Sequence, residues 1–354
     1  TPIKSSAASD VYKRQKEYSE LPDSRVKYTS GSTGTPFKIV LDRARHGRWI
    51  AGNKVFREIV GMESHDKGIF VSANITDKHI PMDRQIRDNM YYIDCAFLDK
   101  GGINDFIDYL IDNDVHYMTI LASALERICI MIQEGKVKPW TGHFVGIDTQ
   151  SDMLKESTRK IASEYFKCPV TDTYGCEEFG VIASEDGSGY GRLVNNADLY
   201  VEVLELDKDV PVKEGEIGRL VITDLYNKAF PMIRYALGDL GSIITTKDGK
   251  QYLNQLAGRQ ADMLYTTDGK PVNYFYIISL LEPYQDIKQF QLIQQDYNHF
   301  KWILNTENHG YEKMIVEYSK NLFGKDSEWK FEYVTELPKL KSGKRKMTVC
   351  NIER

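Results

Sequence analysis

Residues 28–36 are rich in glycine and hydroxyl side chains, in the order Tyr-Thr-Ser-Gly-Ser-Thr-Gly-Thr-Pro. Two glycines let the backbone turn its N–H groups toward an anion, and the hydroxyls between them can donate hydrogen bonds to phosphate oxygens. The segment is not a Walker A loop, because Pro36 stands where that pattern requires a second glycine after Gly31. Its composition is equally compatible with a phosphate-binding loop and with an ordinary turn.

Four further segments carry side chains that could bind a nucleotide. Residues 172–180 place an aromatic ring and two adjacent carboxylates after a predicted strand, which suits base stacking and Mg²⁺ binding. Residues 231–239 end in an aspartate after a glycine turn, which could accept hydrogen bonds from a ribose diol. Residues 258–262 supply an arginine, and residues 338–346 supply a lysine-rich loop.

Each segment also has an ordinary structural interpretation. Tyr174 and Phe179 could be core aromatics, and Glu177 and Glu178 could lie at a solvated loop tip. Asp239 could stabilise a turn, and the lysine run could be a solvated basic tail. It is the combination and order of the segments that favour a functional site.

Short β-like runs alternate with longer helical runs from Val26 onward, which predicts an α/β domain. This part is predicted to contain helices at 42–61, 103–112, 123–134 and 152–166, and strands at 68–72, 117–120, 144–147 and 169–173. After Gly180 apolar and polar residues alternate, which indicates a β-rich segment.

Beyond Gly258 the pattern changes again and predicts an α+β unit. It is predicted to contain helices near 274–281 and at 311–322, and strands at 288–293, 300–304 and 330–334. The boundary is placed near Asp262, so that the predicted domains are residues 1–261 and 262–354.

The composition indicates a globular protein, since 42% of the 354 residues are hydrophobic and 27% are charged. No apolar run approaches the ~18 residues that cross a membrane. The net charge is −5, and no long basic stripe lies outside the last twenty residues, so neither a membrane nor a nucleic acid is an expected partner. Five scattered cysteines without a CxxC pattern predict a cytoplasmic location.

Taken together and in this order, the segments resemble the adenylate-forming superfamily of acyl-CoA synthetases, adenylation domains and luciferases. The run Gly218-Arg-Leu-Val-Ile-Thr-Asp-Leu225, with the later Pro231-Met-Ile-Arg-Tyr235, is similar to the phenylacetate–CoA ligase-like and CapK-type branch. The resemblance extends from about Val26 to the end of the chain. It implies an α/β fold with a large N-terminal adenylate-forming domain and a small α+β C-terminal domain that rotates on a hinge.

The resemblance also implies a role for particular residues around the nucleotide. The loop that grips the β- and γ-phosphates of ATP corresponds to Thr29, Ser30, Gly31, Ser32, Thr33, Gly34, Thr35 and Lys38. Tyr174 and Gly175 match the aromatic motif on the adenine side. Asp239 matches the aspartate that binds the ribose hydroxyls, and Arg259 matches the arginine that contacts the nucleotide.

Three further residues match positions that take part in the chemistry. Glu178 matches the glutamate that binds Mg²⁺, and Asp262 matches the hinge. Lys344 matches the lysine that bridges the substrate carboxylate and the α-phosphate. The resemblance therefore implies that Lys344 and Glu178 are the catalytic residues.

The implied reaction joins a small-molecule carboxylate to AMP with loss of pyrophosphate, after which the thiol of coenzyme A displaces AMP. ATP, Mg²⁺ and coenzyme A are the expected cofactors, and a homodimer is a possible assembly. Two alternatives stay open. The acyl group could pass to a carrier protein or enter surface-polysaccharide biosynthesis, or the chain could be a catalytically degenerate nucleotide-binding homologue.

The sequence also departs from the family pattern. Glu177 replaces a small hydroxyl residue before the glutamate and brings an extra negative charge toward the predicted phosphate site. Ala236 and Leu237 replace an Arg-Thr pair. About 25 residues precede the phosphate loop, so the first domain is expected to be truncated. The stretch from Ser6 to Gln15 resembles a translated sequencing adapter, and no fold or function is assigned to residues 1–15.

Overall fold

The computed structural model describes residues 20–21, 23–28, 37–73, 80–259, 263–272, 277, 280–281, 284, 286–338 and 345–352. Within these ranges the α-helices are α1 (Arg43–Ile59), α2 (Met82–Arg87), α3 (Ile103–Asp112), α4 (Ala122–Gln133), α5 (Glu156–Phe166) and α6 (Glu312–Phe323). Short 3-10 helices occupy Cys95–Lys100 and His309–Tyr311. In the described part of the chain, no helix is long and apolar enough to cross a bilayer.

The strands of the N-terminal part begin with a hairpin and continue through one large sheet. They are β1 (Arg25–Tyr28), β2 (Lys38–Leu41), β3 (Gly68–Ser72), β4 (Met90–Asp94), β5 (Tyr117–Leu121), β6 (Gly146–Gln150), β7 (Val170–Cys176), β8 (Gly180–Glu185), β9 (Arg192–Val194), β10 (Leu199–Leu204), β11 (Gly218–Asp224), β12 (Tyr235–Thr245) and β13 (Gln251–Arg259). The remaining strands are β14 (Leu264–Tyr265), β15 (Pro271–Val272), β16 (Gln289–Gln294), β17 (His299–Asn305), β18 (Glu328–Tyr333) and β19 (Thr348–Cys350).

Eleven of the described strands form one mixed sheet in the order β10-β11-β12-β13-β9-β8-β7-β6-β5-β3-β4. The strands from β4 to β7 pair in parallel, and those from β7 to β10 pair antiparallel. Helices between the parallel strands cover the sheet, as βαβ units require. The predicted α/β part followed by a β-rich part is therefore confirmed.

Regular apolar spacing accounts for the best sequence predictions. In α3, Ile103, Phe106, Ile107 and Leu110 recur at helical spacing and are buried against the sheet. Both α3 and β3 have the predicted bounds. Helix α1 begins after Asp42, whose carboxylate accepts a hydrogen bond from the Arg45 backbone N–H at 2.9 Å.

Other predicted bounds were wrong by a few residues. The strand predicted at 144–147 is Gly146–Gln150, and the helix predicted at 152–166 begins at Glu156. The helix predicted at 123–134 is Ala122–Gln133, and the Ser123 hydroxyl in its first turn donates to the Asp152 carboxylate at 2.6 Å. Helix α2 and the edge strand β4 were not predicted from the sequence.

The C-terminal part is a smaller α+β unit, as the sequence predicted. Its sheet has the order β18-β17-β16-β19, and α6 packs against it through Ile315 and Phe323. The helix predicted near 274–281 lies largely outside the described residues. Lys288 of this part contacts the N-terminal part, with its ammonium 2.5 Å from the Glu134 carboxylate.

A buried arginine connects α1 to two distant segments. Arg45 is fully buried, and its Nε donates to Oδ2 of Asp224 at 2.6 Å, while its Nη2 donates to the Phe179 carbonyl oxygen at 2.6 Å. The other oxygen of Asp224 accepts from the backbone N–H groups of Tyr226 and Asn227. A buried charge is tolerated when it is paired and hydrogen-bonded in this way.

Beneath α1 lies a small polar cavity. Its lining includes Arg57 of α1 together with Asp148, Thr171, Thr173 and Ser184 of the sheet. Burial raises the pKa of Asp148 to about 7, although the Thr173 hydroxyl, which donates to this carboxylate at 2.7 Å, opposes the shift. The fold therefore holds a proton on Asp148 at pH values where the unfolded chain has already released it.

We predict that Arg45→Ala lowers the free energy of unfolding by about 3–5 kcal/mol, because it leaves the Asp224 carboxylate buried without its cation. Denaturant unfolding measures this change. Arg43→Ala is the control, since the Arg43 guanidinium pairs with Asp23 on the surface, where the two side chains are 82% and 65% exposed. Equal changes in the free energy of unfolding for Arg45→Ala and Arg43→Ala would contradict a stabilising role of the buried Arg45–Asp224 pair.

We predict that Asp148→Asn stabilises the fold by on the order of 2–4 kcal/mol at pH 8 and by much less near pH 4. The pKa of Asp148 is 3.8 in the unfolded chain and about 7 in the fold. A carboxyl whose pKa is raised on folding makes the folded protein less stable as the pH rises between these two values. Thermal unfolding of both proteins across this range measures the difference. Parallel stability curves would show that Asp148 ionises freely in the fold.

Candidate active site

The turn between β7 and β8 carries the segment predicted to contact the adenine and Mg²⁺. Two glycines allow its shape: a Cβ at Gly175 would collide with the carbonyl oxygen of Gly180, and a Cβ at Gly180 would collide with the Trp49 indole. Gly180 also has a φ of +71°, which disfavours other residues. The close approach of the two strands at this turn therefore requires glycine at positions 175 and 180.

Tyr174, Asp239 and Arg259 meet at one place. The Tyr174 hydroxyl donates a hydrogen bond to Oδ2 of Asp239 at 2.7 Å, and Nε of Arg259 lies 3.6 Å from Oδ1 of the same carboxylate. Burial, followed by the charge of Asp239, raises the pKa of Tyr174 well above its usual value, so its hydroxyl stays a donor. Three predicted nucleotide-binding residues are thus brought together.

This meeting requires a strongly curved sheet. Four strand-to-strand steps separate β7 from β12 in the sheet order, which would be about 19 Å in a flat sheet. The pairing of β12 with β13 shifts between Asp239 and Gly241, and Gly238 has a φ of +83°. Such a bulge bends a strand and increases its twist. The bend in β12 helps to bring Asp239 within reach of Tyr174.

Glu178 lies beside Cys176 and Tyr235. Burial and then the Glu178 charge raise the pKa of the Tyr235 hydroxyl to about 12, and the same two causes raise the pKa of the Cys176 thiol well above its usual value. Because the thiolate is the reactive form, Cys176 is unsuited to act as a nucleophile. The arrangement leaves Glu178 as the acidic group of this turn that could bind a cation.

Mg²⁺ commonly takes one or two protein carboxylates and completes its shell with substrate phosphates and water. Among the described residues, no group of three or more His, Cys, Asp or Glu side chains could hold a metal ion by itself. One half-buried glutamate, Glu178, beside the predicted nucleotide-binding residues is therefore compatible with Mg²⁺ bound together with ATP.

Glu177, which departs from the family pattern, has a partner that was not predicted from the sequence. Its Oε2 lies 2.8 Å from the Lys27 ammonium, which also lies 3.6 Å from the centre of the Trp49 ring. No spacing rule joins residues 150 positions apart, so no sequence signal could have found this pair. The extra charge at Glu177 is thus compensated within the fold.

Several predicted site residues are not described by the structure. These are Asp262, Lys344 and the loop residues Thr29, Ser30, Gly31, Ser32, Thr33, Gly34 and Thr35. Lys38 is described, and it opens β2 opposite Tyr28, the last residue of β1. The antiparallel pair of β1 and β2 therefore brackets the predicted phosphate loop in the sequence.

Comparison with known proteins gives one family match and several relatives. Residues 264–351 match the family described as the CapK C-terminal domain. Protein CapK of Staphylococcus aureus is 24% identical over 350 residues, which cover 92% of this chain and 74% of CapK. Phenylacetate-coenzyme A ligase of Pseudomonas putida is 25% identical over 262 residues, which cover 68% of this chain and 55% of the ligase.

Solved structures agree with the fold. The crystal structure of 2-hydroxyisobutyryl-CoA ligase in the postadenylation state, in complex with R3-HIB-AMP, aligns with a TM-score of 0.71 at 16% identity. The alignment covers 97% of this chain and 78% of that protein. The resemblance drawn from the motifs is therefore confirmed: the chain is similar to CapK and to phenylacetate-CoA ligase, and it has the fold of the adenylate-forming CoA ligases.

Proposed function

We propose that this protein activates a small carboxylic acid with ATP, forming an acyl-adenylate and pyrophosphate, and then transfers the acyl group to the thiol of coenzyme A. The observation that carries the proposal is the meeting of Tyr174, Asp239 and Arg259 beside the turn that bears Glu178. A pyrophosphate-release assay with aryl and short aliphatic acids tests it. Absence of release with every acid would refute the proposed turnover.

The nucleotide end of the proposed site uses three side chains. The Asp239 carboxylate accepts hydrogen bonds from the ribose hydroxyls, and the Tyr174 ring lies on the adenine side. Arg259 is 52% exposed, so its guanidinium is open to a ligand while it stays near Asp239. Charge-assisted hydrogen bonds of this kind are stronger than neutral ones and fix orientation. These residues bind and orient ATP but exchange no proton with it.

The reacting end must hold negative charge, because a carboxylate approaches an already anionic phosphate. Glu178 would bind Mg²⁺, which lowers this repulsion when it is bound with ATP. Lys344 would place its ammonium between the carboxylate and the α-phosphate and stabilise the transition state. Asp262 would be the hinge on which the C-terminal domain brings Lys344 in. A cytoplasmic location and a homodimer also stay predictions.

A second candidate differs in the acyl acceptor. In it the acyl group passes to a carrier protein or enters surface-polysaccharide biosynthesis, in place of transfer to coenzyme A. The observation behind this candidate is the similarity to CapK, including the match of residues 264–351 to the CapK C-terminal domain. Acyl-adenylate formation without CoA-dependent AMP release would support this candidate. A degenerate homologue, suggested by Ala236 and Leu237, would bind ATP and release no pyrophosphate.

We predict that Asp239→Ala weakens ATP binding about 10²–10⁴-fold. The change removes two charge-assisted hydrogen bonds to the ribose, each contributing about 1.5–3 kcal/mol. Isothermal titration calorimetry measures the affinity. Asp209→Ala is the matched control, because Asp209 also pairs with an arginine, Arg219, but is 71% exposed on the surface. Unchanged affinity in Asp239→Ala would contradict the ribose assignment.

We predict that Lys344→Ala slows acyl-adenylate formation by about 10²–10³, the usual loss when one donor to a transition-state charge is removed. Thioester formation from supplied acyl-adenylate and coenzyme A should fall far less. Single-turnover kinetics of both half-reactions measures this difference. Lys341→Ala and Lys346→Ala are the controls, since a solvated basic tail would make all three lysines equivalent.

A further inference from the structure

The ammonium of Lys27 joins three separate elements. It lies 2.8 Å from Glu177 in the β7–β8 turn and 3.6 Å from the ring centre of Trp49 in α1, while Lys27 itself belongs to β1. The Lys27 side chain is only 19% exposed. An ammonium that is mostly withdrawn from water needs a counter-charge and gains from an aromatic face, and it has both here.

The surroundings of this ion pair hold further positive charge. Burial, followed by the charges of Arg25, Lys27 and Arg84, lowers the pKa of His46 on α1. Lys27 is therefore one of several cations that act on His46, and the Glu177 carboxylate is paired with this lysine. Glu178, the next residue along the chain, is instead close enough to Tyr235 and Cys176 to raise their pKa values.

We propose that Lys27 is a positioning residue that acts through Glu177: it compensates this carboxylate and keeps it from repelling the phosphates bound beside Glu178. This inference rests on the proposed function. It explains how the chain carries a glutamate where the family pattern has a small hydroxyl residue, since that extra negative charge is matched by the Lys27 ammonium at 2.8 Å.

Loss of Lys27 and loss of Glu177 should have different effects on ATP binding. Lys27→Met should leave Glu177 uncompensated beside the phosphate site and weaken ATP binding about tenfold. Glu177→Thr should have little effect, because no repelling charge is left. The double variant Lys27→Met/Glu177→Thr should bind ATP within about threefold of the wild type. A lysine that only stabilises the fold would lower the unfolding temperature in Lys27→Met and leave the ATP affinity of the folded protein unchanged.

Calorimetric titration with ATP and Mg²⁺ across these variants is the test, with thermal unfolding to confirm that each one folds. Lys301→Met is the matched control, since Lys301 forms a pair of the same 2.8 Å length with Glu332 at similar exposure in the C-terminal part. Lys27→Arg keeps the charge and should bind ATP like the wild type, which covers the case in which Lys27→Met does not fold.

These measurements distinguish a failure of the Lys27 inference from a failure of the proposed function. Wild-type affinity in Lys27→Met, or a double variant as weak as Lys27→Met, overturns the inference and leaves the proposed function intact. Should Lys27→Met fail to fold, weak binding by Lys27→Arg overturns it too. Failure of the wild type to bind ATP overturns the proposed function and this inference with it. Rescue in the double variant, with an unchanged Lys301→Met, supports both.

Discussion

The geometry of the candidate site depends on the hydrogen bonds that the buried Arg45 guanidinium donates. This guanidinium joins the helix that follows the predicted phosphate loop to Phe179 in the turn after Glu178 and to Asp224 at the end of β11. These partners lie 134 and 179 residues further along the chain. A buried guanidinium can adopt few other arrangements, because each hydrogen bond that it loses leaves an unpaired polar group in the interior of the protein. The three segments are therefore held in one relative position.

The curvature of the large sheet is the second feature that shapes the candidate site. Tyr174 comes from the last strand of the parallel half, whereas Asp239 and Arg259 come from a hairpin further along the sheet. The site exists because a bulged strand turns back toward the β7–β8 turn. Each half supplies side chains that the other half lacks, so neither half could hold the nucleotide in the proposed way without the other.

Local patterns could be predicted from the sequence, and long-range pairings could not. Helix α3 and strand β3 have the predicted bounds because their apolar spacing is set by residues close together in the chain. The edge strand β4 was missed because most of its residues are only half-buried and carry little periodic signal. In the site, motifs pointed to Tyr174 and Asp239, but nothing local predicts that their side chains touch.

The shortest strand of the large sheet lies in its antiparallel part, between the strand that carries Tyr174 and the strand that carries Asp239. Strand β9 has three residues and pairs with β13 at two positions, Leu193 with Tyr252 and Arg192 with Leu253. Two paired residues are fewer than at any other junction between neighbouring strands of the large sheet. Tyr174 lies on one side of the junction and Asp239 on the other. A nucleotide bound in the proposed way would therefore add a connection across the part of the large sheet that has the fewest paired residues.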